Sequence, residues 1–67
     1  MKNNELYFKF KLSSYESVTE NGFDNSKVIA DKLLNGQGIN CYVHIYDNAR
    51  CKGNCIDFGR ITDIFSF

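Results

Sequence analysis

Two stretches of strictly alternating apolar and polar residues constrain the fold of this chain more than any other feature. The first spans residues 6–13 and the second spans residues 39–46. Alternation with period two is typical of a β-strand that has one apolar face and one polar, solvent-exposed face. The apolar positions are Leu6, Phe8, Phe10 and Leu12 in the first stretch and Ile39, Cys41, Val43 and Ile45 in the second.

One helix is predicted between these strands. Gly36 in the Asn35-Gly36 pair is suited to the left-handed position that follows a last helical turn. A helix of two to three turns does not persist alone, so it must dock its apolar face on a sheet. The apolar positions at helical spacing are Val28, Ile29, Leu33 and Leu34. The candidate N-cap residues are Asp24, Asn25 and Ser26.

The remaining segments are less defined. Residues 14–21 are polar and fit either a poorly specified strand or a long loop. Residues 47–54 are rich in turn formers and should return the chain antiparallel into a strand at residues 56–58. Residues 60–67 fit either a helical turn or a strand, and Phe65 and Phe67 are expected to pack on the core or on another subunit.

This order of elements predicts a single small α+β domain over residues 1–67. It has a βαββ-like single-layer sheet with one short helix on one face. A right-handed crossover through the helix would make the first two strands parallel neighbours. At 67 residues the core is small, and the 15% aromatic content partly compensates for its size.

The polar side of the two strands predicts a candidate binding surface, because one helix cannot cover both faces of a sheet. Exposed aromatic and cationic side chains on such a face are typical of interaction sites. Half-exposed tyrosines are also ordinary on small sheets, and both interpretations remain open. The candidate binding residues are Tyr7, Lys9, Lys11, Tyr42, His44 and Tyr46.

All the cysteines and the only histidine fall within one short window, which raises the question of a metal site. Three thiolates and one imidazole form a complete set of ligands for a structural zinc ion. Cys41 and His44, however, lie three residues apart in a predicted strand, so their side chains should point to opposite faces. Cys41 is better explained as a small core residue, and the two later cysteines as a local disulfide, a reactive thiol or incidental loop residues. The zinc alternative would use Cys41, His44, Cys51 and Cys55.

Composition and motifs argue against several classes of function. Eight basic and eight acidic residues cancel and are interleaved, which disfavours nucleic acid as a partner. No signal peptide or membrane helix is apparent, and an odd number of cysteines argues against a secreted disulfide framework, so a cytoplasmic protein is expected. No catalytic motif occurs, and we expect neither an enzyme nor a cofactor.

These observations predict a non-enzymatic binding or regulatory module that occupies a partner protein surface and forms a homodimer. The bias toward Asn, Lys, Ile, Phe and Tyr hints at AT-rich coding sequence, and so at a low-GC bacterium, its phage or a mobile element. Compact neutral proteins of phages and mobile elements typically inhibit host machinery, which suggests an inhibitor. Two alternatives stay open. One is the zinc-stabilised module, and the other is a sheet-face binder of single-stranded nucleic acid or a small nucleotide.

Overall fold

A computed structural model describes residues 5–12, 17–38 and 40–67 of the chain. The predicted roles of Ser13, Ile39 and residues 14–16 lie outside these residues. The small α+β class predicted from the sequence is confirmed. The elements within the described residues are β1 (Tyr7–Leu12), β2 (Thr19–Asn21), α1 (Phe23–Gln37), β3 (Cys41–Tyr46), β4 (Asp57–Arg60) and α2 (Ile61–Phe65).

The four strands form one antiparallel sheet in the order β2-β1-β3-β4. The predicted parallel pairing of the first strand with the strand after the helix is wrong, because β1 and β3 run antiparallel. The physical reason is β2, a strand of three residues that reverses the chain after β1. The crossover through α1 therefore starts from β2 and reaches β3 on the far side of β1. The antiparallel return from β3 to β4 is confirmed.

The start of α1 differs from the predicted one. Gly22 occupies the N-cap position with φ 89° and ψ 147°, and no side chain caps the helix. The predicted caps Asp24, Asn25 and Ser26 all lie inside the first turn. The ring of Phe23 packs against two other phenylalanine rings of the core. This packing places the first helical residue at Phe23, ahead of the residues with the best capping chemistry.

The end of α1 also differs, since the helix passes through Gly36 and ends at Gln37. Gly38 follows with φ 72° and ψ −155°, and its N–H donates to the Leu34 carbonyl oxygen at 2.9 Å. The helix is 15 residues long and so exceeds the predicted two to three turns. Its extra length lets it span the sheet.

One hydrophobic core lies between the sheet and the two helices. Ala30 and Ser26 are the buried residues of α1, and both are small enough for the helix backbone to approach the sheet closely. Val28 was predicted on the apolar stripe, but it is 57% exposed because it points about 200° around the helix from Ser26. Cys41 is fully buried, so its predicted role as a small core residue is confirmed. The buried hydrophobic residues of this core are Phe8, Phe10, Ala30, Cys41, Val43, Ile61 and Phe65.

The C-terminal segment adopts the helical alternative, which forms α2 directly after β4. Phe65 is buried, and its ring centroid lies 5.1 Å from that of Phe23, 5.5 Å from that of Phe8 and 6.1 Å from that of Phe10. Its predicted packing on the core is confirmed. Phe67 contacts the Phe65 ring but remains 46% exposed.

Candidate binding face

The strand register places the six predicted binding residues on one side of the sheet, opposite to α1. Residues directly opposite each other in an antiparallel pair project to the same face. We call this surface the open face. Its three cross-strand pairs are Tyr7 with Tyr46, Lys9 with His44, and Lys11 with Tyr42.

Strand β4 adds two residues that the sequence interpretation missed. Phe58 lies opposite His44, and Arg60 lies opposite Tyr42. Their spacing of two residues after the turn-rich loop was a usable signal. Alternation alone does not place these two residues on the open face, because the loop sets the register of β4 against β3.

The open face is organised by ring contacts between neighbouring strands. The Lys9 ammonium lies 5.9 Å from the centroid of the Tyr46 ring. The Arg60 guanidinium lies 5.2 Å from the centroid of the Tyr42 ring. The His44 ring stacks on that of Phe58 at 5.5 Å and an interplanar angle of 11°. Each cation–π contact contributes about 0.5–1 kcal/mol at an exposed site, so the two contacts favour these side-chain positions by a few-fold.

The loop between β3 and β4 reaches one end of the open face. Cys51 is buried, and its Sγ lies 3.8 Å from the hydroxyl oxygen of Thr19, the residue opposite Lys9. Tyr7, Lys9 and Tyr46 at this end are half-buried. The other end is uncovered within the described residues, and we call it the exposed half. The exposed half consists of Lys11, Tyr42, Phe58 and Arg60.

Asn48 shapes this loop through its side chain. Its Nδ2 donates to the Lys52 carbonyl oxygen at 3.1 Å, and its Oδ1 accepts from the Lys52 N–H at 3.0 Å. The Asn48 carbonyl oxygen accepts from the Cys51 N–H at 3.0 Å. Cys51 adopts φ 53°, a conformation that is uncommon for a residue other than glycine. These contacts direct the Cys51 side chain inward, which sequence spacing did not predict.

A shallow depression of about 280 Å³ lies at the exposed half. It sits where the end of β1 meets the start of β3. It is lined by Lys11, Leu12, Asn40, Tyr42 and His44. The Nδ1 atom of His44 is buried and has no hydrogen-bond partner within the described part of the chain.

Burial, together with the charges of Lys11 and Lys9, lowers the pKa of His44 below its ordinary value. The unfolded chain therefore takes up this proton at a higher pH than the folded chain does. In the unfolded chain the pKa of His44 is about 6.5. The contribution of His44 to the stability of the fold is complete above this pH and is lost as the pH falls below it.

We expect Lys11→Gln and Lys9→Gln each to raise the pKa of His44 toward its ordinary value, because each removes a nearby positive charge. His44 is the only histidine, so its ring proton resonances report this pKa without ambiguity in an NMR titration of the untagged chain. Lys32→Gln on the exposed side of α1 is the matched control and should leave the pKa unchanged. The same His44 pKa in all variants would contradict the placement of Lys9 and Lys11 near His44.

The structure does not bring the four predicted metal ligands together. Cys41 is buried on the core side of β3, while His44 lies on the open face. Cys51 and Cys55 are free thiols, and no disulfide links them. The described residues contain no group of three or more Cys, His, Asp or Glu side chains arranged to hold a metal ion. Burial raises the pKa of the Cys41 thiol, which favours its neutral form over a metal-binding thiolate.

A second depression, of about 390 Å³, lies on the helix side of the molecule. There the Lys27 ammonium lies 5.5 Å from the centroid of the half-exposed Phe67 ring. This surface is distinct from the open face and mixes charges of both signs. It is lined by Asp24, Lys27, Val28, Asp31 and Phe67.

The fold and site define a small α+β domain that presents an aromatic and cationic sheet face. Comparison of this chain with protein-family models, with curated proteins and with solved structures found no match. Among the described residues, no helix is both long enough and apolar enough to cross a membrane.

Proposed function

We propose that this protein is a non-enzymatic binding module that occupies the surface of a partner protein through the exposed half of the open face. The observation that carries the proposal is the exposure of two rings on neighbouring strands of one face, with Phe58 62% exposed and Tyr42 41% exposed. Arg60 lies beside Tyr42, and aromatic residues with arginine are enriched among the residues that dominate protein interfaces. A regulatory role, such as the inhibition predicted from composition, follows if the occupied surface is functional.

The face of the sheet supports this proposal better than the β4 edge does. Addition of a partner strand to β4 requires free main-chain groups along that edge. The Phe58 N–H is already bonded to Asp57 Oδ1 at 2.8 Å, so a partner strand would have to displace this carboxylate.

A catalytic role has little support from the same residues. Cysteine–histidine catalysis requires the base within hydrogen-bond reach of the nucleophile. The thiol of Cys41 lies across the sheet from His44, and the Cys51 thiol contacts the hydroxyl of Thr19. The lowered pKa of His44 arises from burial and from two lysines, and neither cause implies a substrate.

One observation favours a second candidate, the binding of single-stranded nucleic acid. Lys9 and Lys11 lie on the same face as the tyrosine rings, and single-strand binders combine stacking aromatics with cations on a sheet. The zero net charge of the chain weakens long-range attraction to a polyanion. Binding that falls steeply with salt would favour this candidate over a protein partner.

The proposal predicts that Tyr42→Ala and Phe58→Ala each weaken binding to the partner by about 30-fold or more, as for a residue whose loss costs about 2 kcal/mol. The partner is first identified by photo-crosslinking from position 58 in the cell that encodes the chain, and then purified for titration calorimetry. Val28→Ala on the helix side is the control and should bind like the parent protein. Unchanged affinity in both face variants, with circular dichroism showing an intact fold, would rule out this face as the interface.

The homodimer and the cytoplasmic location predicted from the sequence stay predictions. The half-exposed Phe67 and the exposed Val28 are the apolar groups that self-association on the helix side would bury. The mass in solution, measured by light scattering, tests the homodimer directly.

A further inference from the structure

The exposed half combines a depression with cationic and polar side chains, which suggests what kind of group it receives. Lys11 is exposed at its rim, and Asn40 and Tyr42 supply an amide and a hydroxyl group. Ammonium, amide N–H and phenol O–H groups all donate hydrogen bonds to an oxyanion. The depression therefore has donors for an acidic group and space for a side chain to enter.

The charge of the open face around the depression also favours an acidic group. Among the described residues that the strand register places on the open face, Lys9, Lys11 and Arg60 are cationic and none is Asp or Glu. The nearest carboxylate on β4 belongs to Asp57, which alternates away from Phe58 and lies opposite Ile45 of the core side. A chain of zero net charge thus concentrates positive charge on one side of its sheet. An interface partner of opposite charge complements such a surface.

The same lysines act on His44, whose pKa is lowered first by burial and then by the charges of Lys11 and Lys9. The two lysines therefore contribute a positive potential at the His44 ring, which lines the depression. An anion placed there would be stabilised by the same potential.

The ring contacts favour a protein over a nucleic acid as the source of the anion. Tyr46 and Tyr42 each already carry a cation over the ring, and the ring of Phe58 stacks on His44. A base that stacks on the Tyr42 or Tyr46 ring competes with the cation already placed over that ring. A carboxylate that binds to Lys11 and Asn40 does not need the face of a ring.

We propose that the depression at the exposed half receives a carboxylate side chain from an acidic segment of the partner protein. The Lys11 ammonium and the Asn40 amide hold the carboxylate, and Tyr42 and Phe58 pack against the neighbouring residues of that segment. This inference rests on the proposed function, since it names the chemistry of the partner that the open face binds.

The test uses the full isotope-labelled chain and three defined probes. They are a short capped peptide of alternating glutamate and tyrosine, the same peptide with glutamine in place of glutamate, and a short oligothymidylate. Binding is followed by NMR through the backbone amides and the ring of His44, the only histidine. We expect the glutamate peptide to shift the resonances of Tyr42 and His44 and to bind about tenfold or more tightly than the glutamine peptide, because charge-assisted hydrogen bonds are the stronger ones.

Two lysine variants test where the carboxylate of the peptide binds. Lys11→Gln should weaken binding of the glutamate peptide by about tenfold, whereas Lys32→Gln on α1 should not change it. Equal binding of both peptides at the open face would overturn the carboxylate inference and leave the proposed function standing. Shifts confined to other surfaces would overturn both. Tighter binding of oligothymidylate would replace a protein partner with nucleic acid, and failure of every probe to bind would overturn the inference.

Discussion

Phe65→Ala is expected to remove most of the stability of the folded protein. The Phe65 side chain is 1% exposed, and its ring contacts those of Phe8, Phe10 and Phe23 from β1 and α1. Truncation of a buried phenylalanine costs about 3–5 kcal/mol, because it removes buried apolar area and leaves a cavity. A domain of this size has a free energy of unfolding of roughly 3–10 kcal/mol. Urea unfolding followed by circular dichroism measures the loss.

Phe58→Ala is the matched control, because it removes the same side chain from a position that is 62% exposed. It should cost about 1 kcal/mol or less, the contribution of its stacking on His44. Phe65→Leu keeps an apolar side chain at the centre of the core and should fall between the two. Similar stability for Phe65→Ala and Phe58→Ala would contradict a core centred on α2.

Gly38→Ala is expected to destabilise the fold by about 1–3 kcal/mol, although an added Cβ would meet no atom within 4 Å. The cost comes from the backbone alone, since φ 72° with ψ −155° lies in a region that is essentially restricted to glycine. This conformation turns the chain out of α1 toward β3. The Gly38 N–H meanwhile donates a hydrogen bond to the Leu34 carbonyl oxygen. The free energy of unfolding from urea titration gives the effect.

Gly36→Ala provides the control two residues earlier. Gly36 has helical backbone and equally open space around its Cβ position. Alanine there should stabilise the fold by about 0.5–1 kcal/mol, because glycine carries an entropic penalty within a helix. Opposite signs at the two positions would show that Gly38, and not the predicted Gly36, ends the helix. Equal effects at both positions would contradict that boundary.

Local patterns accounted for much of the fold and for part of the site. Alternation placed Phe8, Phe10 and Val43 on the apolar face and Tyr42 and His44 on the opposite face, as the structure has them. The same alternation predicted that Cys41 and His44 lie on opposite faces of the sheet, as the structure has them. These predictions succeeded because the period of a strand depends only on its own backbone.

The predictions that failed depended on contacts between distant segments. Capping chemistry favoured Asp24 or its neighbours, but the packing of the Phe23 ring against Phe8 and Phe65 places the start of α1 earlier. Val28 matched a helical spacing, but the orientation of α1 on the sheet left it exposed. Phe58 was seen as part of a strand, yet its place beside His44 required the register of β4.

The sequence by itself determined the positions of β1, β3 and the middle of α1 and the apolar face of both strands, since these properties repeat over neighbouring residues. Only the tertiary structure decided the order of the strands and the direction of β1 relative to β3. A three-residue strand at Thr19–Asn21, too short to carry a periodic signal, reverses the chain and makes β1 and β3 antiparallel. The tertiary structure also decided which part of the open face is exposed, because the side chains of Asn48 and Cys51 bring a distant loop onto one end.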